Sequence, residues 1–154
     1  MIRVRAYRPE DREFVLSLAP RLLIGKQAWR DDQRWLTAVQ GWIKGSIQQH
    51  GERTTIFVAE DEQNTLLGFA TVTHENHFTG ERQASIGELA VSQAAEGLGA
   101  GKALVQACEQ WARMQGDRLI TLATGAGNAQ ALGFYHHLGY QDEDIKLAKR
   151  LTED

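Results

Sequence analysis

The spacing of apolar and polar residues predicts a chain in which strands and helices alternate. Residues 2–6 alternate strictly between the two classes, which is typical of a strand that buries one face. From Phe14 to Leu22 and from Trp35 to Ile47, apolar residues instead recur every three or four positions, as on one face of a helix. Pro20 should end or kink the first helix. We therefore expect one strand followed by two helices.

The rest of the chain carries apolar and β-branched runs of strand length and two further helical patterns. These predict strands at 54–59, 66–73 and 84–91, a helix at 104–114, a strand at 119–124, a helix at 129–138 and a strand at 145–151. The order is β-α-α-β-β-β-α-β-α-β. Short connections predict antiparallel hairpins between the middle strands, whereas the strand–helix–strand unit at 84–124 predicts a parallel pair with a right-handed crossover. We expect an α/β (α+β) domain with a mixed, mainly antiparallel sheet.

Composition narrows the class of protein. The 154 residues fit one domain, and a net charge of −3 with a pI near 6.0 lacks the basic footprint of a nucleic-acid binder. Cys108 is the single cysteine, so an intramolecular disulfide is excluded. The first residues lack the apolar core of a signal peptide, and no apolar run approaches the ~20 residues that span a membrane. We expect a cytoplasmic protein that binds neither nucleic acid nor membrane.

Glycine is the one residue type whose number and placement predict a binding site. Eight of the 15 glycines lie between Gly97 and Gly139. Gly97, Gly99 and Gly101 fall between a predicted strand and a predicted helix, where the first helical turn leaves backbone N–H groups without partners. Glycines let a ligand approach these groups closely, and the helix dipole and Lys102 add positive potential. Such a turn suits phosphate oxygens.

Three interpretations of this turn compete on the residues alone. A P-loop requires a longer gap than that from Gly97 to Gly101, and Ala103 stands where its magnesium-binding hydroxyl would be. A dinucleotide fingerprint requires a third glycine where this chain has Lys102. The third interpretation is a tight strand-to-helix connection that binds nothing.

A longer segment resembles a known family. Residues 88–92 and 97–104 are similar to the acetyl-CoA signature of the GNAT superfamily of acyl-CoA N-acyltransferases, whose pattern is R/Q-x-x-G-x-G/A. The resemblance implies that backbone amides of the turn bind the CoA pyrophosphate, and that the preceding strand meets pantetheine and the thioester carbonyl. The implied cofactor-binding residues are Leu89, Ala90, Val91, Glu96, Gly97, Leu98, Gly99, Ala100, Gly101, Lys102 and Ala103. Glu96 replaces the pattern's Arg or Gln, so we expect weaker CoA affinity, which Lys102 can offset.

A second segment, residues 128–140, resembles the family's N-x-x-A-x-x-F/L-Y-x-x-x-G-F/Y pattern. Tyr135 matches the family's general acid, and a phenol with a pKa near 10 is protonated at neutral pH and can donate to a departing thiolate. Asn128 matches a position that contacts the pantetheine or phosphate region of the cofactor. The alternative for Tyr135 is a helix aromatic that packs on the sheet.

Transfer to an amine also needs a proton acceptor. Glu88 is the leading candidate, because it stands in the strand that would meet the thioester. The alternative is a strand glutamate that faces solvent or a partner chain. Glu75, His74 and His77, near the end of the third strand, are weaker candidates. Trp29, in a polar loop, is the acceptor-site candidate together with Glu75, whereas helix packing explains the tryptophans of the second helix at least as well.

The resemblance covers essentially the whole chain. It implies a GNAT-type fold with helices on both faces of the sheet and a single domain over residues 1–154. It also implies acetyl transfer from acetyl-CoA to a primary amine of a small molecule or protein, by direct attack in a ternary complex and without a metal. Glu96 leaves open a catalytically weak or inactive acetyl-CoA-binding sensor or assembly domain, and the signature leaves open a longer acyl donor. A homodimer is a family expectation.

Overall fold

A computed structural model describes residues 1–152 of the chain. Within them, five strands form one sheet in the order of the sequence. The strands are β1 (Arg3–Ala6), β2 (Thr54–Glu60), β3 (Leu66–Asn76), β4 (Arg82–Val91) and β5 (Ile120–Leu122). Neighbours from β1 to β4 pair antiparallel, and β4 pairs with β5 in parallel. The predicted hairpins and the predicted parallel pair are both confirmed.

The same residues form four α-helices. These are α1 (Arg12–Ser17), α2 (Asp32–Gln49), α3 (Ala100–Met114) and α4 (Ala129–His137). Pro20 does end the first helix, because α1 stops at Ser17 and a 3-10 helix with the proline in its first turn follows at Ala19–Leu23. α2 begins where the Asp31 carboxylate accepts a hydrogen bond from the Arg34 amide at 2.8 Å. None of the helices in residues 1–152 is long and apolar enough to cross a membrane.

Helices cover both faces of the sheet, as the resemblance implied. On one face, α3 buries Leu104 and Cys108 against sheet residues that include Val72. On the other face, α1 and α2 pack around a second cluster, in which Ile43 and Phe69 are fully buried. The sheet thus lies between two packed layers.

The strand predicted at 145–151 is wrong. Residues 140–150 form no regular secondary structure. The apolar side chains of Ile145, Leu147 and Leu151 are 81%, 88% and 90% exposed. Their alternation has the period of a strand, but a strand is stable only when it pairs and packs, and within residues 1–152 β5 pairs with β4 alone.

A buried ion-pair network ties β1 to the sheet and to the turn that follows it. The Arg5 guanidinium donates to both Asp11 carboxylate oxygens, at 2.8 and 3.0 Å, and lies 3.2 Å from Glu60. The Arg8 amide also donates to Asp11 at 2.8 Å. These hydrogen bonds, first that from Arg5, lower the pKa of Asp11 below its ordinary value although burial opposes them.

Replacing this aspartate should destabilise the fold. Asp11→Asn leaves a buried guanidinium with less compensation, and we expect a loss of about 3 kcal/mol in urea unfolding at pH 7. Because the folded pKa of Asp11 lies below the unfolded one, its contribution is present above the unfolded pKa and disappears as pH falls through the folded pKa. The difference between wild type and variant should therefore shrink in acid. Glu10→Gln, an exposed acid in the same turn, is the control and should change little.

Candidate active site

β5 ends at Leu122 while β4 continues, and a cavity lies where the chain after β5 leaves β4. Only Ala84 to Ile86 of β4 pair with β5, while β4 continues to Val91. Residues 87–89 line one side of the cavity and residues 122–125 line the other. An extended ligand placed here would meet a free strand edge.

The pairing of β4 with β3 determines which backbone groups point to that edge. The Ser92 amide donates to the Leu67 carbonyl at 2.8 Å, which makes Gly68 and Val91 a non-hydrogen-bonded pair of the antiparallel ladder. By the same alternation, the N–H and C=O groups of Leu89 and Val91 point away from β3. Those of Ala90 point toward β3. Leu89 and Val91 are therefore the strand positions whose backbone can bind a ligand in the cavity.

A β-bulge places Glu88 beside this edge. Gly87 and Glu88 of β4 together lie opposite the single residue Thr71 of β3. The Thr71 hydroxyl accepts the Glu88 amide at 2.9 Å and donates to the Glu88 carboxylate. Ser46 of α2 lies 3.5 Å from the other carboxylate oxygen. The bulge thus turns a carboxylate into the protein, where it lines the cavity.

Burial tunes the acidity of this carboxyl group. Glu88 is 7% exposed, and burial raises its pKa above that of an ordinary glutamate, while the hydrogen bonds from Thr71 and Ser46 act in the opposite direction. A raised pKa makes the carboxylate a better proton acceptor than an exposed glutamate at neutral pH.

The glycine turn begins α3 at the end of β4. Gly97 and Gly99 have φ angles of 78° and 92°, in the left-handed region that favours glycine. Gly99 is the N-cap residue, and the first intrahelical bond runs from the Ala103 amide to the Gly99 carbonyl. The amides of residues 100–102 precede that bond, so they are available to an anion.

Tyr135 of α4 reaches the same cavity. Its ring packs edge-on against Phe134 and Tyr140, with centroids 5.1 and 5.9 Å away. Burial, with a smaller contribution from nearby Cys108, raises the pKa of Tyr135 to about 12. The hydroxyl is therefore a proton donor throughout the neutral range.

A family model described as the acetyltransferase (GNAT) family matches residues 12–140. The chain belongs to the GNAT family. The match runs from α1 to the end of α4 and includes both signature segments, whereas β1 precedes it.

Two sequence relatives agree with this assignment, and a solved structure shares the fold. The chain is 30% identical over 77% of its length to the L-methionine sulfoximine/L-methionine sulfone acetyltransferase of Pseudomonas aeruginosa, and 31% identical over 70% to N-acetyltransferase family 8 member 2 of Rattus norvegicus. It spans 60% and 48% of those two proteins, respectively. The aminoglycoside N-acetyltransferase AAC(6')-Iy, solved with CoA, superposes with a TM-score of 0.73 at 16% identity, covering 99% of this chain and 96% of that one.

The wall of this cavity opposite the free edge of β4 is built by α2 and the segment before it. Trp35, Val39 and Trp42 line it, and the Trp35 indole N–H donates to the Leu22 carbonyl at 3.1 Å. Trp42 is 61% exposed although its helix packs on the sheet. Helical periodicity indicated packing for these tryptophans, and only the position of α2 over the bulge shows that they also line the cavity.

Other residues predicted from the sequence lie elsewhere. Trp29 is 47% exposed and does not line the cavity. Glu75 accepts hydrogen bonds from Gln83 and Thr121 at the far end of the sheet. The structure therefore does not bring these two acceptor-site candidates to Glu88 and Tyr135.

The two candidate histidines have local partners. His74 packs on Trp111 of α3, and its Nδ1 lies 2.8 Å from the buried Asp117 carboxylate. His77 forms a turn hydrogen bond with Thr79 at 2.8 Å. Within residues 1–152, no three His, Cys, Asp or Glu side chains are placed to hold a metal ion.

Asn128 joins two loops at the rim of the cavity. Its side-chain oxygen caps α4 by accepting the Ala131 amide at 3.1 Å, and its nitrogen donates to the Ile24 carbonyl at 3.3 Å. Two glycines permit this contact. A Cβ on Gly25 would lie 2.5 Å from the Asn128 Cβ, and a Cβ on Gly125 would lie 2.7 Å from the Gly25 carbonyl oxygen.

Adding a methyl group at this loop contact should disturb the wall of the cavity. In Gly125→Ala the new Cβ would clash with the Gly25 carbonyl oxygen. Because the backbone holds both of these atoms, the segment before α2 must move away from α4. We expect a loss of about 1–3 kcal/mol in stability and a higher KM for the amine. Gly127→Ala is the matched control, since its Cβ would lie 4.0 Å from the same oxygen. Equal effects of the two substitutions would contradict the steric explanation.

Proposed function

We propose that this chain is an N-acetyltransferase that transfers an acetyl group from acetyl-CoA to a primary amine in a ternary complex. One observation supports it above the others: the opening between β4 and β5 is lined by a buried carboxylate, Glu88, and by a phenol, Tyr135. These are the proton acceptor and the proton donor that aminolysis of a thioester needs. The residues present fit acetyl-CoA, because a free strand edge leads to a glycine turn with available amides.

In the proposed reaction, Glu88, the Leu89 amide and Tyr135 each have one role. The amine nitrogen bonds to the thioester carbonyl carbon, and the carbon–sulfur bond breaks. The amine proton passes to the Glu88 carboxylate, directly or through one water. The Leu89 amide, which points to the free edge, donates to the carbonyl oxygen as negative charge develops there. The Tyr135 hydroxyl gives its proton to the departing thiolate, and both side chains then exchange protons with solvent.

The cavity wall favours an amine with an apolar body. Trp35, Val39 and Trp42 offer apolar and aromatic surface next to the Glu88 carboxylate, which would attract an ammonium group before it loses its proton. The related enzyme from Pseudomonas aeruginosa acts, by its name, on L-methionine sulfoximine and L-methionine sulfone. We propose a small amine of this size and polarity as the acceptor.

An amine panel with purified protein tests the proposal. CoA release should be measured with acetyl-CoA and L-methionine sulfoximine, phenylethylamine, spermidine and a lysine peptide, alongside calorimetric titration with CoA. We expect CoA binding and turnover that favours the small, partly apolar amines. CoA binding without turnover on any amine would instead indicate a sensor or assembly domain. Absence of CoA binding would contradict the proposed function altogether.

A further inference from the structure

The glycine turn carries a carboxylate where a phosphate is expected to bind. Glu96 directly precedes Gly97, and its side chain is 50% exposed. A carboxylate cannot donate a hydrogen bond to a phosphate oxygen and repels its charge. Lys102, the cation of the turn itself, is exposed and lies in the first turn of α3.

The structure brings a second cation to this position from a distant part of the chain. Arg21, in the 3-10 helix that follows α1, forms an ion pair with Glu96 across 75 positions of sequence. Its Nε also donates to the Val91 carbonyl at 3.2 Å. That carbonyl is one of the groups that point to the free edge of β4. Arg21 therefore bridges the end of the ligand-binding strand and the start of the glycine turn.

The guanidinium keeps donors for a ligand. Arg21 has five N–H groups, and its two hydrogen bonds within residues 1–152 engage Nε and one terminal nitrogen. The other terminal nitrogen retains both of its N–H groups. The side chain is 24% exposed and lines the cavity that also contains Leu89 and Tyr135. A planar, half-buried guanidinium in this position suits the oxygens of a diphosphate.

We propose that Arg21 binds the pyrophosphate of the acyl-CoA and that Glu96 is a positioning residue that holds the guanidinium at the turn. This inference rests on the proposed use of acetyl-CoA. The carboxylate at position 96 then does not weaken the site by itself, because its charge is compensated by an arginine from the acceptor side of the cavity. The cofactor site thereby extends to a segment outside both sequence signatures.

Calorimetry with matched variants tests this arrangement. Arg21→Gln retains a donor for the Val91 carbonyl but removes the charge, and we expect CoA to bind about tenfold more weakly. Turnover of acetyl-pantetheine, which lacks the pyrophosphate, should stay within about twofold of wild type. In Arg21→Gln/Glu96→Arg the cation moves to the turn itself, and CoA affinity should recover to within about threefold of wild type. Arg113→Ala, in the last turn of α3, is the control and should not change CoA binding.

Two further outcomes separate the possible roles of the pair. If Arg21 only neutralises Glu96, the double variant Arg21→Gln/Glu96→Gln will bind CoA as wild type does, which would overturn the contact with pyrophosphate. We expect it to remain about fivefold weaker. If Arg21→Gln alone binds CoA normally, or loses acetyl-pantetheine turnover to the same extent as acetyl-CoA turnover, the inference is wrong while the proposed function stands. If wild type does not bind CoA, both are wrong.

Discussion

Tyr135→Phe should reduce kcat by about 100-fold or more, because removal of the hydroxyl leaves the thiolate to depart without a proton donor. The substitution retains the aromatic ring and its packing against Phe134 and Tyr140. We therefore expect the midpoint of thermal unfolding and the Kd for CoA to change little. Steady-state kinetics and calorimetry on the same preparation measure the two effects separately.

Tyr140→Phe provides a matched control for this experiment. Tyr140 packs against Tyr135, but its hydroxyl donates to Glu109 of α3 at 2.9 Å, and it does not line the cavity. Its loss should leave kcat within about twofold of wild type. Comparable losses of kcat in the two variants would show that aromatic packing, and not proton donation, explains the effect of Tyr135.

The pH dependence follows from the raised pKa of Tyr135. Because burial holds this pKa at about 12, the phenol stays protonated across the usual assay range. Wild-type kcat should show no descending limb from Tyr135 below about pH 10. A limb near neutrality that disappears in Tyr135→Phe would contradict the proposed environment of the hydroxyl.

Glu88→Gln should lower kcat/KM by about 100-fold at neutral pH, because an amide cannot accept the amine proton. Below the pKa of Glu88 the wild-type carboxyl is protonated and inactive, so kcat/KM should rise with pH through that pKa. Burial places this rise above the ordinary glutamate value of 4.5. A pH profile should show the rise in wild type and not in the variant.

The thermal stability of Glu88→Gln distinguishes the loss of a general base from unfolding of the protein. The folded pKa of Glu88 is raised, so its contribution to stability is complete below the unfolded pKa and is lost as pH rises through the folded pKa. Ionised Glu88 thus lowers stability at pH 8, and Glu88→Gln should unfold at the same temperature as wild type or at a higher one. Unfolding at a much lower temperature would indicate that the carboxylate has a structural role.

Glu75→Gln is the control for the choice of base. Glu75 is the weaker candidate from sequence, and its carboxylate accepts hydrogen bonds from Gln83 and Thr121 away from the cavity. Its substitution should leave the pH profile unchanged. If the acid limb disappears in this variant and persists in Glu88→Gln, the base is Glu75 and the proposed step is wrong.

Local patterns determined most of the fold. The alternation and helical spacing of apolar residues predicted the strands and helices up to Gly139 because each element buries one face or both. The prediction failed at Ile145, Leu147 and Leu151, where alternation alone cannot supply a neighbouring strand. Periodicity reports which side of a segment is apolar, and not whether anything covers it.

The site residues also divide into those that the sequence predicted and those that only tertiary packing brings to the site. The sequence by itself predicted the glycine turn from its place between a strand and a helix, and its resemblance to the two family signatures singled out Tyr135 and the strand that carries Glu88. The direction of the Glu88 side chain was left open, because a bulge that reverses a side chain depends on the pairing of β4 with β3. Only the tertiary structure decided that β4 and β5 separate after Ile86 and that α2 carries Trp42 over the bulge. It also decided that Arg21 meets Glu96 across 75 positions. Those contacts depend on how helices pack on the sheet, and no local pattern in a single sequence encodes that packing.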